Sequence, residues 1–206
     1  MSTPAGYFEA MYRGAEDPWR LRDRWYEQRK YALTVASLPL PSYRRAFEPA
    51  CSVGELTVRL ADRCDSLLAA DRVASAVRTT RARTQGVPGV RVAEMTVPEQ
   101  WPEGTFDLVV LSELLYYFDE ARQRALVDRA CASLEHGGTL ATVHWNHAVP
   151  DHRGTGADIA DRLARREGLR LLTDHREPDF TLQIHARHAP GQPVGDVRSG
   201  APVVGD

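Results

Sequence analysis

Apolar and polar positions change their period several times along the chain, and the alternation predicts its elements. From about Trp19 to Leu38 the spacing is helical, with Trp25, Leu33 and Val35 among the apolar positions, and Pro39 and Pro41 end the run. Short apolar runs then alternate with helical ones. Strands are expected at Arg45–Glu48, Ser66–Ala70, Val90–Ala93, Phe106–Leu111 and Thr139–Trp145, with a final pair at Leu169–Leu172 and Phe180–Ala186. Helices are expected at Gly54–Arg63, Ala74–Thr84, Asp119–Leu134 and Asp158–Glu167. Phe106–Leu111 (FDLVVL) is apolar on both faces, as a strand covered on both sides must be. Helices alternating with strands imply an α/β fold with a parallel sheet. Only the short polar segment HREPD separates the last two strands, which suits an antiparallel hairpin. The expected sheet has seven strands, five of them parallel, with an antiparallel finish.

Residues 1–40 form an expected helical cap, 41–189 the α/β domain, and 190–206 a Gly/Pro-rich tail expected to be disordered. The chain has 206 residues, enough for one such core. Its net charge of −2 leaves no basic excess for a nucleic-acid backbone. No stretch approaches the ~20 apolar residues of a membrane span, and the first residues lack the pattern of a signal peptide. Three unpaired-looking cysteines, Cys51, Cys64 and Cys131, fit a reducing cytoplasm. Almost all basic residues are Arg, a bias that reads as codon usage; Lys30 is the only lysine. Either a monomer or a homodimer is compatible with this composition.

The candidate chemistry begins where the first strand meets the first sheet helix, in FEPACSVGELTVRLADRC. Small residues there let a ligand approach the backbone, and the helix start near Gly54 offers free N–H groups. Asp71 ends the second strand, where a carboxylate can hold two ribose hydroxyls. Glu48 and Glu55 put further carboxylates beside the turn. They would repel a pyrophosphate and attract the sulfonium and ammonium of S-adenosylmethionine. The full GxGxxG of dinucleotide folds is absent, and no G-K-[ST] of a P-loop occurs. A dinucleotide, or a glycine that merely packs helix on strand, remains the alternative.

Several segments in order resemble the class I methyltransferases, and more narrowly the nodulation-protein S family, which N-methylates deacetylated chitin oligosaccharides. They are DPWRLRDRWYEQRK (17–30), FEPACSVGELTVRLADRCDSLLAAD (47–71), WPEGTFDLVVLSELLYYF (101–118) and HGGTLATVHW (136–145). The resemblance implies a Rossmann-like fold and S-adenosylmethionine as cofactor. It makes Glu48 to Gly54, with Ala50, Cys51 and Ser52 between them, the methionine-binding loop. It places Asp71 on the ribose, Arg72 beside the adenine, Glu94 and Met95 against the adenine, and Ser112 and Glu113 toward the methyl group and its acceptor. Ala50 and Ser52 stand where the class usually has glycines, so Ala50 is expected to keep a negative φ. Glu94 replaces the more common Asp.

The acceptor side follows from position. Glu113 lies just past the FDLVVL strand and could hold or deprotonate an amine. Tyr116 and Tyr117 follow on the next turn. His144 and Trp145 end the fifth strand, and alternation directs one of them to the crevice. These residues make Glu113, Tyr116 and His144 the catalytic candidates. Trp25, Tyr26, Arg29, Tyr117 and Trp145 are the substrate-binding ones, with the cap helix closing the pocket. His144, His147, Asp151 and His152 fit no standard metal spacing, so no metal is expected. Cys51 reads as a small loop residue. The leading expectation is N-methylation of an amino sugar or small amine. An O-methyltransferase, a fold repurposed for ring closure or elimination, and a non-catalytic partner subunit are the alternatives.

Overall fold

The computed structural model describes residues 3–150 and 152–188. The tail expected from Pro190 lies outside them, as does Asp151. A seven-stranded sheet runs in the order β3-β2-β1-β4-β5-β7-β6. Its strands are β1 (Ala46–Pro49), β2 (Leu67–Asp71), β3 (Val90–Glu94), β4 (Phe106–Ser112), β5 (Leu134–Trp145), β6 (Leu169–Arg176) and β7 (Phe180–Arg187). The first five pair in parallel, and β7 pairs antiparallel with both β5 and β6. The expected architecture is therefore present.

Among the described residues the α-helices are α1 (Ala5–Gly14), α2 (Trp25–Ala36), α3 (Glu55–Ala61), α4 (Ala74–Arg83), α5 (Glu120–Ser133) and α6 (Gly156–Leu163). The period-2 alternation of β4 divides the core in two. Val109 and Leu111 face Leu126 and Ala130 of α5 and Ile159 and Leu163 of α6. Leu108 and Val110 face Tyr31 of α2 and Leu56 and Leu60 of α3. A strand buried on both faces is what the continuous apolar run FDLVVL requires.

Besides shifts at the ends of α6 and β6, three departures from expectation stand out. First, α1 is a helix not expected from the sequence, although Tyr7, Phe8, Met11 and Tyr12 recur at helical spacing. Second, α2 begins at Trp25, not Trp19. The Asp17 carboxylate accepts the backbone N–H groups of Leu21 and Arg22, both at 3.0 Å, so the chain turns there instead of coiling. Third, α5 ends at Ser133, and the His136-Gly137-Gly138 expected to close it belongs to β5. Among the described residues no helix is long and apolar enough to cross a membrane.

Candidate active site

The strand order reverses direction between β1 and β4, and a cavity of about 780 Å³ opens there beyond the carboxyl ends of the strands. Its size is that of a small-molecule site. The cap helices α1 and α2 cover it, and its two ends differ in chemistry.

At one end β1 and β2 deliver Glu48 and Asp71. Between Glu48 and α3 the backbone turns back on itself. Ala50 (φ +60°), Ser52 (φ +53°) and Gly54 (φ +79°) all lie in the left-handed region. The negative φ expected of Ala50 is thus incorrect. Each non-glycine residue there carries a cost of about 1–2 kcal/mol, and surrounding hydrogen bonds hold the loop in place. Ser52 N–H donates to Asp71 Oδ2 (3.0 Å), Cys51 N–H to the Ala70 carbonyl (2.9 Å), and Thr80 Oγ1 to the Ser52 carbonyl (2.7 Å). Asp71 Oδ1 also accepts the Val73 N–H at 2.9 Å. Gly54 itself caps α3 and does not line the cavity; a Cβ there would come within 2.9 Å of Thr80.

Glu48 is fully enclosed. Burial pushes its carboxyl up to about 8, Thr57 Oγ1 offsets part of this by donating at 2.6 Å, and the charge of Asp71 adds to the rise. Asp71 is raised by burial against the two N–H donors that favour its charge. Glu55, expected to add a third carboxylate, turns away and pairs with Arg83 at 2.5 Å. Arg72 and Met95 line this end, whereas Glu94 is exposed and off the cavity. Burial raises the Cys51 thiol, in keeping with a passive wall residue. From α1, the Tyr12 hydroxyl meets Ser52 Oγ at 2.5 Å, a contact the sequence did not suggest.

At the other end stand Ser112, Glu113, Tyr116, Tyr117 and Trp145, all lining the cavity as expected. Glu113 follows β4 with φ +51°, its N–H tied to the Val143 carbonyl at 2.8 Å. Its carboxylate accepts Lys30 Nζ (2.8 Å), the Tyr116 hydroxyl and the Trp145 N–H (3.3 Å). Burial opposes its charge, but Lys30 and Tyr116 outweigh burial and hold it below the usual carboxylate range. Lys30 is almost completely enclosed and also meets Glu27 Oε2 at 2.8 Å. Burial works against the ammonium, yet the two carboxylates raise it overall. Glu27, buried among them, is raised.

Three expected residues lie elsewhere. His144 is enclosed behind the cavity wall, where Nε2 accepts the Leu115 N–H at 3.1 Å. Burial holds its ring down at about 4, so it is a neutral prop for the 3₁₀ turn at Leu115–Tyr117. Strand alternation at this point sends Trp145, not His144, to the crevice. Trp25 is 76% exposed and points to solvent. Arg29 sits at the rim, gripping Glu177 with two contacts of 2.6 Å and so tying α2 to the β6–β7 hairpin. Tyr26 does line the cavity.

The unforeseen residues are Tyr12, Glu27, Lys30 and Tyr31. Glu27, Lys30, Tyr31 and Thr34 form the buried stripe of α2 at helical spacing. A search for apolar stripes passes over a polar one. The signal available was Lys30 itself, the only lysine of the chain. Among the described residues no group of three or more His, Cys, Asp or Glu side chains is placed to hold a metal.

Comparison with known proteins places this arrangement. Residues 10–155 match the family model of nodulation protein S (NodS). The chain belongs to the nodulation protein S family. A nodulation protein S from Rhizobium tropici is 30% identical over 183 residues, covering 82% of this chain and 74% of that protein. Among solved structures, a Pseudomonas syringae protein described as a candidate methyltransferase is 43% identical, with a TM-score of 0.69 over 80% of this chain and all of that one. The NodS N-methyltransferase of Bradyrhizobium japonicum WM9, solved with S-adenosyl-L-homocysteine, superposes with a TM-score of 0.78 at 23% identity, over 87% of this chain and 97% of that one. This NodS-family chain therefore has the Rossmann-like class I methyltransferase fold. Its β1–α3 loop holds an alanine and a serine in left-handed positions.

Proposed function

We propose that this chain, an S-adenosylmethionine-dependent methyltransferase of the NodS type, methylates a nitrogen of a small amine or amino sugar. The observation that carries the reading is the Glu113 carboxylate, ionised and opening onto the same cavity as Glu48 and Asp71.

The Glu48–Asp71 end fits the cofactor. The Asp71 carboxylate accepts backbone N–H groups from Ser52 and Val73 and keeps acceptor capacity toward the cavity for a ribose hydroxyl. Glu48 offers a carboxyl to a cationic methionine head, and Met95 and Arg72 offer a wall to the adenine. Ser112 lines the cavity next to Glu113. When bound, S-adenosylmethionine supplies a methyl carbon activated by its sulfonium.

The acceptor nitrogen takes that methyl as the C–S bond breaks. The sulfur leaves as a neutral thioether and needs no acid. The protein's tasks are to hold donor and acceptor in line, worth several kcal/mol, and to stabilise the positive charge that develops on the nitrogen, whose surplus proton then passes to water. Glu113 has one acceptor position left beyond Lys30, Tyr116 and Trp145, enough for one N–H of the acceptor. Base strength favours nitrogen over oxygen. A carboxylate held below its ordinary range is too weak to strip a sugar hydroxyl, and His144, the stronger base by type, is turned away. A free amine needs no such stripping. Trp145, Tyr26 and Tyr117 supply aromatic faces for the acceptor body.

The test is transfer of a ¹³C-labelled methyl group from S-adenosylmethionine to paired acceptors, an amino sugar and its hydroxyl counterpart. Label on nitrogen alone is expected. Label on oxygen, or none on any amine, would overturn the reading.

A further inference from the structure

We infer that Lys30 is a positioning residue, carried by the cap helix, that fixes the Glu113 carboxylate in its working orientation. The inference rests on the proposed role of Glu113.

Four observations converge. Lys30 Nζ lies 2.8 Å from Glu113 Oε1 and 2.8 Å from Glu27 Oε2, and its side chain is 1% exposed. Its ammonium also sits 4.8 Å from the centre of the Tyr26 ring, so that carboxylates and an aromatic face replace its lost water. Glu113 has a left-handed backbone, a conformation that persists in a non-glycine residue only when its surroundings fix it. The elements that fix it are β5, the 3₁₀ turn and α2, and Lys30 is the only contact from α2 that carries the opposite charge. Finally, every other basic residue of the chain is an arginine or a histidine. A compact ammonium fits between two carboxylates, where a planar guanidinium would impose its own wider spacing. Keeping the lone lysine at this point is what a positioning role requires.

The Glu113 carboxylate faces the place where positive charge develops on an acceptor nitrogen as the methyl group arrives, which supports an amine acceptor. The groups facing Glu113 are Lys30, Glu27, Tyr26 and Tyr31 from α2, Tyr116 from the turn and His144 from β5. Of these, Lys30 supplies the attraction that opposes burial.

Because Lys30 is the only lysine, protein labelled with ¹³C,¹⁵N-lysine gives one side-chain signal. In the full-length wild type that signal should remain charged beyond the ordinary lysine range and should shift on Glu113→Gln. A freely exchanging amine that titrates normally and ignores Glu113→Gln would overturn the inference, whatever the enzyme's activity proves to be. In turnover assays, Lys30→Met should lower kcat by about tenfold or more while cofactor affinity stays within about twofold. The acidic limb of its pH–rate profile should move up by about one pH unit or more, since the charge that most opposes burial at Glu113 is then gone. Lys30→Arg should not restore either property. Normal kcat with an unmoved acidic limb in Lys30→Met would equally overturn the role. If no amine is methylated by the wild type while the lysine signal still answers to Glu113→Gln, the proposed function has failed and the pairing of Lys30 with Glu113 stands.

Discussion

The two ends of the cavity are built by different means. The Glu48–Asp71 end comes from one strand–helix–strand unit, and its key bonds join residues about twenty positions apart, such as Ser52 N–H to Asp71. Its ligands are backbone groups and two buried carboxyls. The Glu113 end is assembled from α2, β4, a 3₁₀ turn and β5. Its central pair, Lys30 and Glu113, is 83 positions apart, and its groups are side chains that hold one another. The β1–α3 loop thus holds Ala50 and Ser52 at left-handed φ beside a crowded, charged Glu113 end.

Three changes probe the division, the largest first. Glu113→Gln should reduce kcat by about 10²- to 10³-fold, the usual worth of a preorganised group that stabilises developing charge, with a thermal melt confirming the fold. A loss confined to KM would break the distinction between the ends.

The second probe is pH. Glu48 is pushed from its ordinary 4.5 up to about 8, so the stability tied to its neutral form is complete below 4.5 and lost as pH rises toward 8. A cationic cofactor head favours the ionised form. Cofactor affinity should therefore rise between about pH 5 and 8, by at most about tenfold per unit, with proton release measurable by calorimetry in buffers of different ionisation enthalpy. Glu48→Gln should flatten the dependence while leaving the acidic limb set by Glu113 in place.

The smallest effect is expected from Ala50→Gly. Relief of a left-handed alanine, offset by the freer unfolded chain, should raise stability by about 1 kcal/mol or less. Cofactor affinity should hardly move, and a thermal melt with a parallel titration checks both.

The same contrast explains what could be read from the sequence. Strand runs such as FDLVVL, the Asp71 at a strand end and the antiparallel finish follow from local periodicity, and all are present. Glu48, Asp71, Met95, Glu113, Tyr116 and Trp145 fall at strand ends or just beyond, where chain position alone brings them to the cavity. Side-chain direction was less legible. Glu55 follows the turn but is drawn off by Arg83, and Glu94 ends an outer strand facing water. His144 and Trp145 differ by one position, and only the partner of Leu115 N–H decides between them. Least legible was α2, whose buried stripe of Glu27, Lys30, Tyr31 and Thr34 looks like a solvent face until Glu113 arrives from a distant part of the chain.

The most direct measurement is calorimetric titration of S-adenosylhomocysteine into wild type, Asp71→Ala and Glu113→Gln side by side. Asp71→Ala should bind more weakly by about 1–3 kcal/mol, through lost hydrogen bonds and a loosened loop, while Glu113→Gln binds as the wild type does. Equal affinity in wild type and Asp71→Ala, or a collapse of binding in Glu113→Gln, would contradict a cavity with separate cofactor and acceptor ends.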